Sequence, residues 1–209
     1  RISPQDAGLW NQAQLQPWQP ITRFIGAHGA IAGIQLAHAG RKASTLRPWD
    51  GHGPVPAGQG DWPVVAPSAL PFDTGWNVPL ALDEAGIQAL IADFRAAAAR
   101  ALEAGFQLVE VHAAHGYLLH QFLSPLSNGR DDRYGGSFEN RTRLTREVVA
   151  AVREVWPDEL PLWLRVSATD WADEGGWDAA QSVELARMVK PLGVDLIDHG
   201  DEVDERCIE

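Results

Sequence analysis

Residues 106–117 read F-Q-L-V-E-V-H-A-A-H-G-Y, and this stretch decides how the rest of the chain is read. An apolar run with β-branched Val109 and Val111 is the pattern of a buried parallel strand, and it ends abruptly in two histidines, a glycine and a tyrosine. In parallel α/β folds the loops leaving the C-terminal ends of the strands face a common crevice, and ligands bind there. His112, His115 and Tyr117 are therefore candidate functional groups, and the remaining sequence is read as their scaffold or their partners.

Working outward, the same grammar recurs. Upstream, Asp83 is placed to cap a helix whose apolar positions Ile87, Leu90, Ile91, Phe94, Ala98 and Leu102 fall at three- and four-residue steps, with Gly105 as its stop. Before that, Pro17 to Gly29 suggests a short helix, and Ala30 to Leu36 a strand running into Gln35-Leu-Ala-His-Ala-Gly-Arg-Lys42. Arg1 to Gln16 has no period and reads as a loop. Downstream, Ser124–Ser137 is dense in turn formers, and Ser137 is placed to cap a helix through Leu144, Val148, Val149, Val152 and Val155, stopped by Trp156-Pro157. A strand at Leu162–Val166, a helix around Ala179–Lys190 and a strand at Val194–Ile197 follow.

The alternation predicts a parallel sheet in one α/β domain over 1–209, with strands near 30–36, 107–112, 162–166 and 194–197. Residues 44–82, rich in Pro, Gly and Trp without a sustained period, form an irregular excursion of the kind that builds binding loops. Functional groups at the ends of separate strands favour a (β/α)8 barrel over an open sheet. A barrel takes ~250 residues and eight units, so about four βα units make an incomplete TIM barrel.

Composition narrows the function. The chain has 209 residues and is 45% hydrophobic, enough for a core, and its net charge of −11 argues against nucleic acid or anionic membrane as partner. A small organic substrate fits better. Cys207 is the only cysteine, which excludes a disulfide framework and a cysteine-based metal site and suits a reducing, cytoplasmic compartment. No apolar run approaches the ~20 residues that span a bilayer. Nine tryptophans are read chiefly as core-filling residues.

Three readings of His112 and His115 stand side by side: a metal pair completed by His120 or Asp170, as in a barrel-type hydrolase; donors to a substrate oxygen; or core histidines satisfied by backbone groups. Tyr117 favours the second, since a phenol of pKa ~10 is a poor metal ligand but a usable proton donor, and two imidazole N–H groups suit an oxygen that gains charge. Gln35 offers a donor and an acceptor that suit the pyrimidine edge of a flavin, or else a bond to a neighbouring strand. Arg165, inside L-W-L-R-V-S, must face an anion: a reduced flavin, Glu110 or Asp170. Gly135-Gly-Ser137 could be taken for a phosphate cradle, but its charged surroundings look like a self-paired turn. Arg41 and Lys42 read as solvated or ion-paired, and no role is given to His28, His38, His52 or His120.

With these residues in view, the chain resembles the Old Yellow Enzyme family of flavin-dependent ene-reductases, in particular the bacterial NADPH dehydrogenase and xenobiotic reductase branch. The resemblance is carried by G-I-Q-L-A-H-A-G-R-K (Gly33 to Lys42), A-P-S-A (Ala66 to Ala69), E-V-H-A-A-H-G-Y-L (Glu110 to Leu118), the Ser124 to Arg141 segment and L-R-V-S (Leu164 to Ser167). It implies a (β/α)8 barrel with FMN at the strand ends, held by Gln35 and Arg165. His112 and His115 would bind the substrate's activating oxygen, and Tyr117 would donate the proton. The family reaction takes hydride from NADPH or NADH to the flavin and then to the β-carbon of an activated alkene. Against the family pattern, the chain begins after the second strand and lacks the last two, and the acidic segment 199–209 departs from it. The resemblance thus implies a partial barrel, impaired or inactive, that binds FMN weakly or not at all, with two open sheet edges that invite association between copies. A non-catalytic truncated product is the remaining alternative.

Overall fold

The computed structural model describes residues 1–200; the acidic tail from Asp201, including Cys207, lies outside the described residues. Its elements run α1 (Gln12–Leu15), α2 (Trp18–Ala27), β1 (Gly33–Leu36), β2 (Val65–Ala66), β3 (Leu80–Ala81), α3 (Glu84–Glu103), β4 (Leu108–Ala113), α4 (Leu118–Leu123), α5 (Phe138–Arg141), α6 (Arg143–Arg153), β5 (Leu162–Ser167), α7 (Ala179–Val189) and β6 (Leu196–Gly200). Strands β1, β4, β5 and β6 lie in that order in one sheet, every neighbouring pair parallel. The sheet is an arc of a (β/α)8 barrel, with β1 and β6 as its edges among the described residues.

Side-chain alternation along the strands divides the arc into two faces. Val109, Val111, Leu162, Leu164 and Val166, each at most 1% exposed, point to the helices and pack with Ile87, Leu90, Phe94, Leu144, Val148, Val152 and Leu185 in a single core. Burying each such side chain contributes ~1.5–3 kcal/mol. The opposite face carries Gln35, Glu110, His112, Arg165 and Asp198, which the register brings side by side as the pairs Gln35–Glu110, His112–Arg165 and Arg165–Asp198. The polar row is thus a consequence of period two.

Local signals set the boundaries. Asp83 caps α3 by accepting from Gly86 N at 2.7 Å, and the helix stops where Gly105 takes a positive φ of 93° and Phe106 N–H turns back to the Ala101 carbonyl at 3.1 Å. Thr22 Oγ1 donates to the Ala104 carbonyl at 2.6 Å, fastening α2 to this stop.

Several sequence expectations need correction. Segment 1–16 is not wholly loop: Asn11 and Gln14 form a capping box that starts α1, whose Leu15 is buried. The helix expected from Ser137 is interrupted at Thr142, where a ψ of −12° separates α5 from α6. Residues 118–123 form a helix, α4, that shows no periodicity because all six side chains are buried. The last strand starts two residues later than expected and includes Gly200. Only Trp156 and Trp177 are fully buried, while Trp10, Trp49 and Trp171 are exposed, so core filling does not account for the tryptophans as a group. The 44–82 excursion is irregular but contains the two-residue parallel ladder of β2 and β3.

Candidate functional site

The site is built where β4 ends. His112 is its last polar inward residue, 4% exposed, and its ring lies between the other two candidates: ring centroids are 5.1 Å from His115 and 5.1 Å from Tyr117, both edge-on. The Ala114 N–H donates to His112 Nδ1 at 3.3 Å, which leaves the proton of the neutral ring on Nε2. Burial, reinforced by the positive fields of His115, Arg165, His120 and Lys42, pushes the His112 pKa down to about 3. His112 is therefore a neutral N–H donor at any ordinary pH.

His115 stands at a positive φ of 58°, with its N–H donating to Ser167 Oγ at 2.9 Å. Its Nε2 passes so close to Gly200 that a Cβ there would lie 2.3 Å away and would displace the ring. Tyr117 begins α4. Lys42, read as solvated or ion-paired from sequence, is not solvated but 8% exposed: its ammonium donates to the His115 carbonyl at 2.9 Å and lies 4.5 Å from the Phe72 ring and 5.6 Å from the Tyr117 ring. Arg41 donates to the Pro71 carbonyl at 3.2 Å. Together these two residues draw the excursion over the strand ends.

Gln35 and Arg165 occupy the same inward face. Gln35 Nε2 donates to Glu110 Oε1 at 2.6 Å, so the bond to a neighbouring strand exists, and Glu110, a buried acid considered from sequence only as a partner for Arg165, serves Gln35 instead. The expected partners of Arg165 are both engaged elsewhere, Glu110 by Gln35 and Asp170 by His120. Arg165 pairs with Asp198, Nε to Oδ2 at 3.2 Å, because the β5–β6 register sets them opposite. This Nε is buried and makes no aligned hydrogen bond, which leaves directional donor capacity for a ligand atom.

The metal reading loses its third ligand. His120 and Asp170 bond to each other at 2.8 Å, and among the described residues no group of three His, Cys, Asp or Glu side chains converges on a metal position. The Gly135-Gly-Ser137 turn serves packing: a Cβ at Gly135 would meet the Arg130 carbonyl oxygen at 2.3 Å, and Arg130 pairs with Asp132 while donating to the Pro67 carbonyl at 3.0 Å. Ser68 accepts from Gly129 N at 2.9 Å, so A-P-S-A and S-P-L-S-N-G-R are two halves of one docking contact. Among the described residues no helix is long and apolar enough to cross a membrane.

A half-open cavity of about 850 Å³ lies along the β1 edge, lined among others by Gln35, His112, Tyr117, Leu9, Trp10 and Trp18. It joins the strand exit to the polar row, so one molecule could touch both.

Comparison with known proteins gives whole-chain relatives. The chain is 48% identical over 211 residues to an NADH:flavin oxidoreductase of Gibberella zeae, covering 95% of this chain and 51% of that one. It is 47% identical over 198 residues to an NADPH dehydrogenase of Bacillus velezensis, covering 95% and 53%. Among solved structures, an old yellow enzyme homologue from Zymomonas mobilis superposes with a TM-score of 0.75 at 31% identity, over 92% of this chain and 54% of that one. The chain spans about half the length of the curated relatives it matches. With the family profile matching residues 1–206, this chain belongs to the NADH:flavin oxidoreductase / NADH oxidase family.

Proposed function

We propose that this chain, as one barrel-derived unit over 1–209, carries the substrate-binding half of an FMN-dependent NAD(P)H oxidoreductase that reduces activated C=C bonds such as those of α,β-unsaturated carbonyls. The observation that carries the reading is the trio at the β4 exit, a neutral donor imidazole flanked at equal distance by a second imidazole and a phenol. FMN, the family's cofactor, supplies the uptake of hydride from NADPH or NADH and its delivery to carbon. The residues present fit it: Gln35 and Arg165 lie on one polar face, and the buried Arg165 Nε has directional capacity to spare.

In this reading the His112 Nε2–H and the His115 ring donate to the carbonyl oxygen of the substrate. Negative charge builds on that oxygen as hydride reaches the β-carbon, and donors fixed beforehand stabilise it without reorganisation. Tyr117 Oη–H delivers the proton to the α-carbon. With its pKa held near 3, His112 itself stays uncharged, so it polarises the carbonyl without a competing cation on its ring. The test is Tyr117→Phe in the FMN-loaded protein, followed by anaerobic stopped-flow absorbance. Alkene reduction should slow ~100-fold or more while flavin reduction by NAD(P)H stays within error, and equal loss in both steps would remove the proton-donor role.

A further inference from the structure

Behind the strand exit lies a second group of buried polar side chains that no step above uses. His120, on α4, is 6% exposed and Asp170, beyond β5, is 8% exposed. His120 Nε2 stands 2.8 Å from Asp170 Oδ1, and its Nδ1 stands 2.8 Å from the Gly116 backbone nitrogen. A backbone N–H only donates, so Nδ1 is the acceptor and the proton of the neutral ring sits on Nε2, facing the carboxylate. Asp170 is held in turn: its Oδ2 accepts from Ser124 Oγ at 2.6 Å and from Trp177 N at 2.7 Å. Burial by itself would raise its pKa, but these hydrogen bonds and His120 outweigh burial and lower it, so Asp170 stays ionised.

What this pair holds is the peptide between the two outer members of the site. Gly116 lies between His115 and Tyr117, and its carbonyl is gripped from the other side by Gln121 Nε2 at 2.7 Å. His115 and Gly116 are consecutive left-handed residues, with φ of 58° and 66°. That conformation is unfavourable for a non-glycine residue and persists only where the surroundings over-determine it. His120 Nδ1 takes the Gly116 N–H from four residues back, at the start of its own helix, and so ties α4 to the loop that carries His115 and Tyr117.

We propose that His120 and Asp170 are positioning residues of the site: their pair clamps the Gly116 N–H and so sets the angle at which the His115 ring and the Tyr117 phenol stand beside His112. The functional consequence rests on the reductase reading, whereas the clamp itself rests on geometry alone.

The experiment uses the 209-residue chain, first labelled with 15N-histidine and 15N-glycine and then loaded with FMN. NMR of the parent should show His120 in the Nε2–H tautomer and the Gly116 amide protected from exchange; an Nδ1–H tautomer or an unprotected amide overturns the clamp, whatever the variants do. His120→Asn keeps an acceptor near the Nδ1 position, whereas His120→Gln keeps a donor near Nε2. Gly116 exchange should accelerate ~10-fold or more in the glutamine variant and remain close to the parent in the asparagine variant. In the loaded protein the glutamine variant should lose ~10 to 100-fold in alkene reduction with flavin reduction unchanged, and asparagine should restore most of it. Equal slowing in both variants assigns a merely structural role and overturns the positioning role. A parent that reduces flavin but no alkene removes the reductase reading, while tautomer and exchange still decide the clamp.

Discussion

The two ends of the candidate site are built differently. At the β4 exit, His112 is 4% exposed and its neighbours are pinned from behind by Ser167, Lys42 and the His120–Asp170 pair. Along the polar row, Gln35 is exposed on the edge strand, and the Arg165 side chain is 30% exposed over a partner, Asp198, that is 38% exposed. The first region is preorganised by elements within this chain; the second is, among the described residues, partly open. Preorganisation of donors is what makes oxygen recognition and proton delivery effective, whereas a cofactor needs enclosure to be retained.

The largest effect expected from this contrast is at the pinned end. His112→Ala in the FMN-loaded protein should reduce the alkene step ~10²–10³-fold, measured by single-turnover oxidation of the reduced flavin, and a loss under ~10-fold would mean that the exit is not where the substrate oxygen sits. The open end should yield less. Arg165→Met should weaken FMN binding ~10-fold or more by fluorescence titration, because a charge-assisted donor is lost. On gel filtration the unmodified 209-residue chain should carry well under one equivalent of flavin; stoichiometric flavin absorbance would show that the open wall is no handicap and break the comparison.

The smallest effect is on stability. The folded-state pKa of His112 lies near 3, below its unfolded value near 6.5, so the unfolded chain binds the proton first. Its contribution is intact above pH 6.5 and is lost as the pH falls toward 3. Asp170, also depressed, acts in the same direction at the acid end. Urea midpoints should therefore fall with acidification over that window, and His112→Asn should flatten the slope; an unchanged slope would place the titration elsewhere.

How much of this was legible depended on whether a feature is local. The capped α3, its Gly105 stop and the alternating β4 follow from period and punctuation, so the parallel α/β arrangement could be read directly. Helix α4 could not, since a helix buried on every side carries no amphipathic signal. The trio His112, His115 and Tyr117 was visible because twelve consecutive residues hold it, and Gln35 and Arg165 because long polar groups in apolar runs demand partners. The burial of Lys42 was not legible, because it depends on Phe72 and on the His115 carbonyl, both distant in sequence.

The chain's own order of residues thus determined which groups point into the crevice, since backbone alternation is a property of the strand itself. Only the tertiary structure decided what each group meets. Strand register set Arg165 against Asp198, and the return of the segment after β5 placed Asp170 on His120. Such pairings join residues far apart along the chain, and the spacing within either segment contains no record of the other.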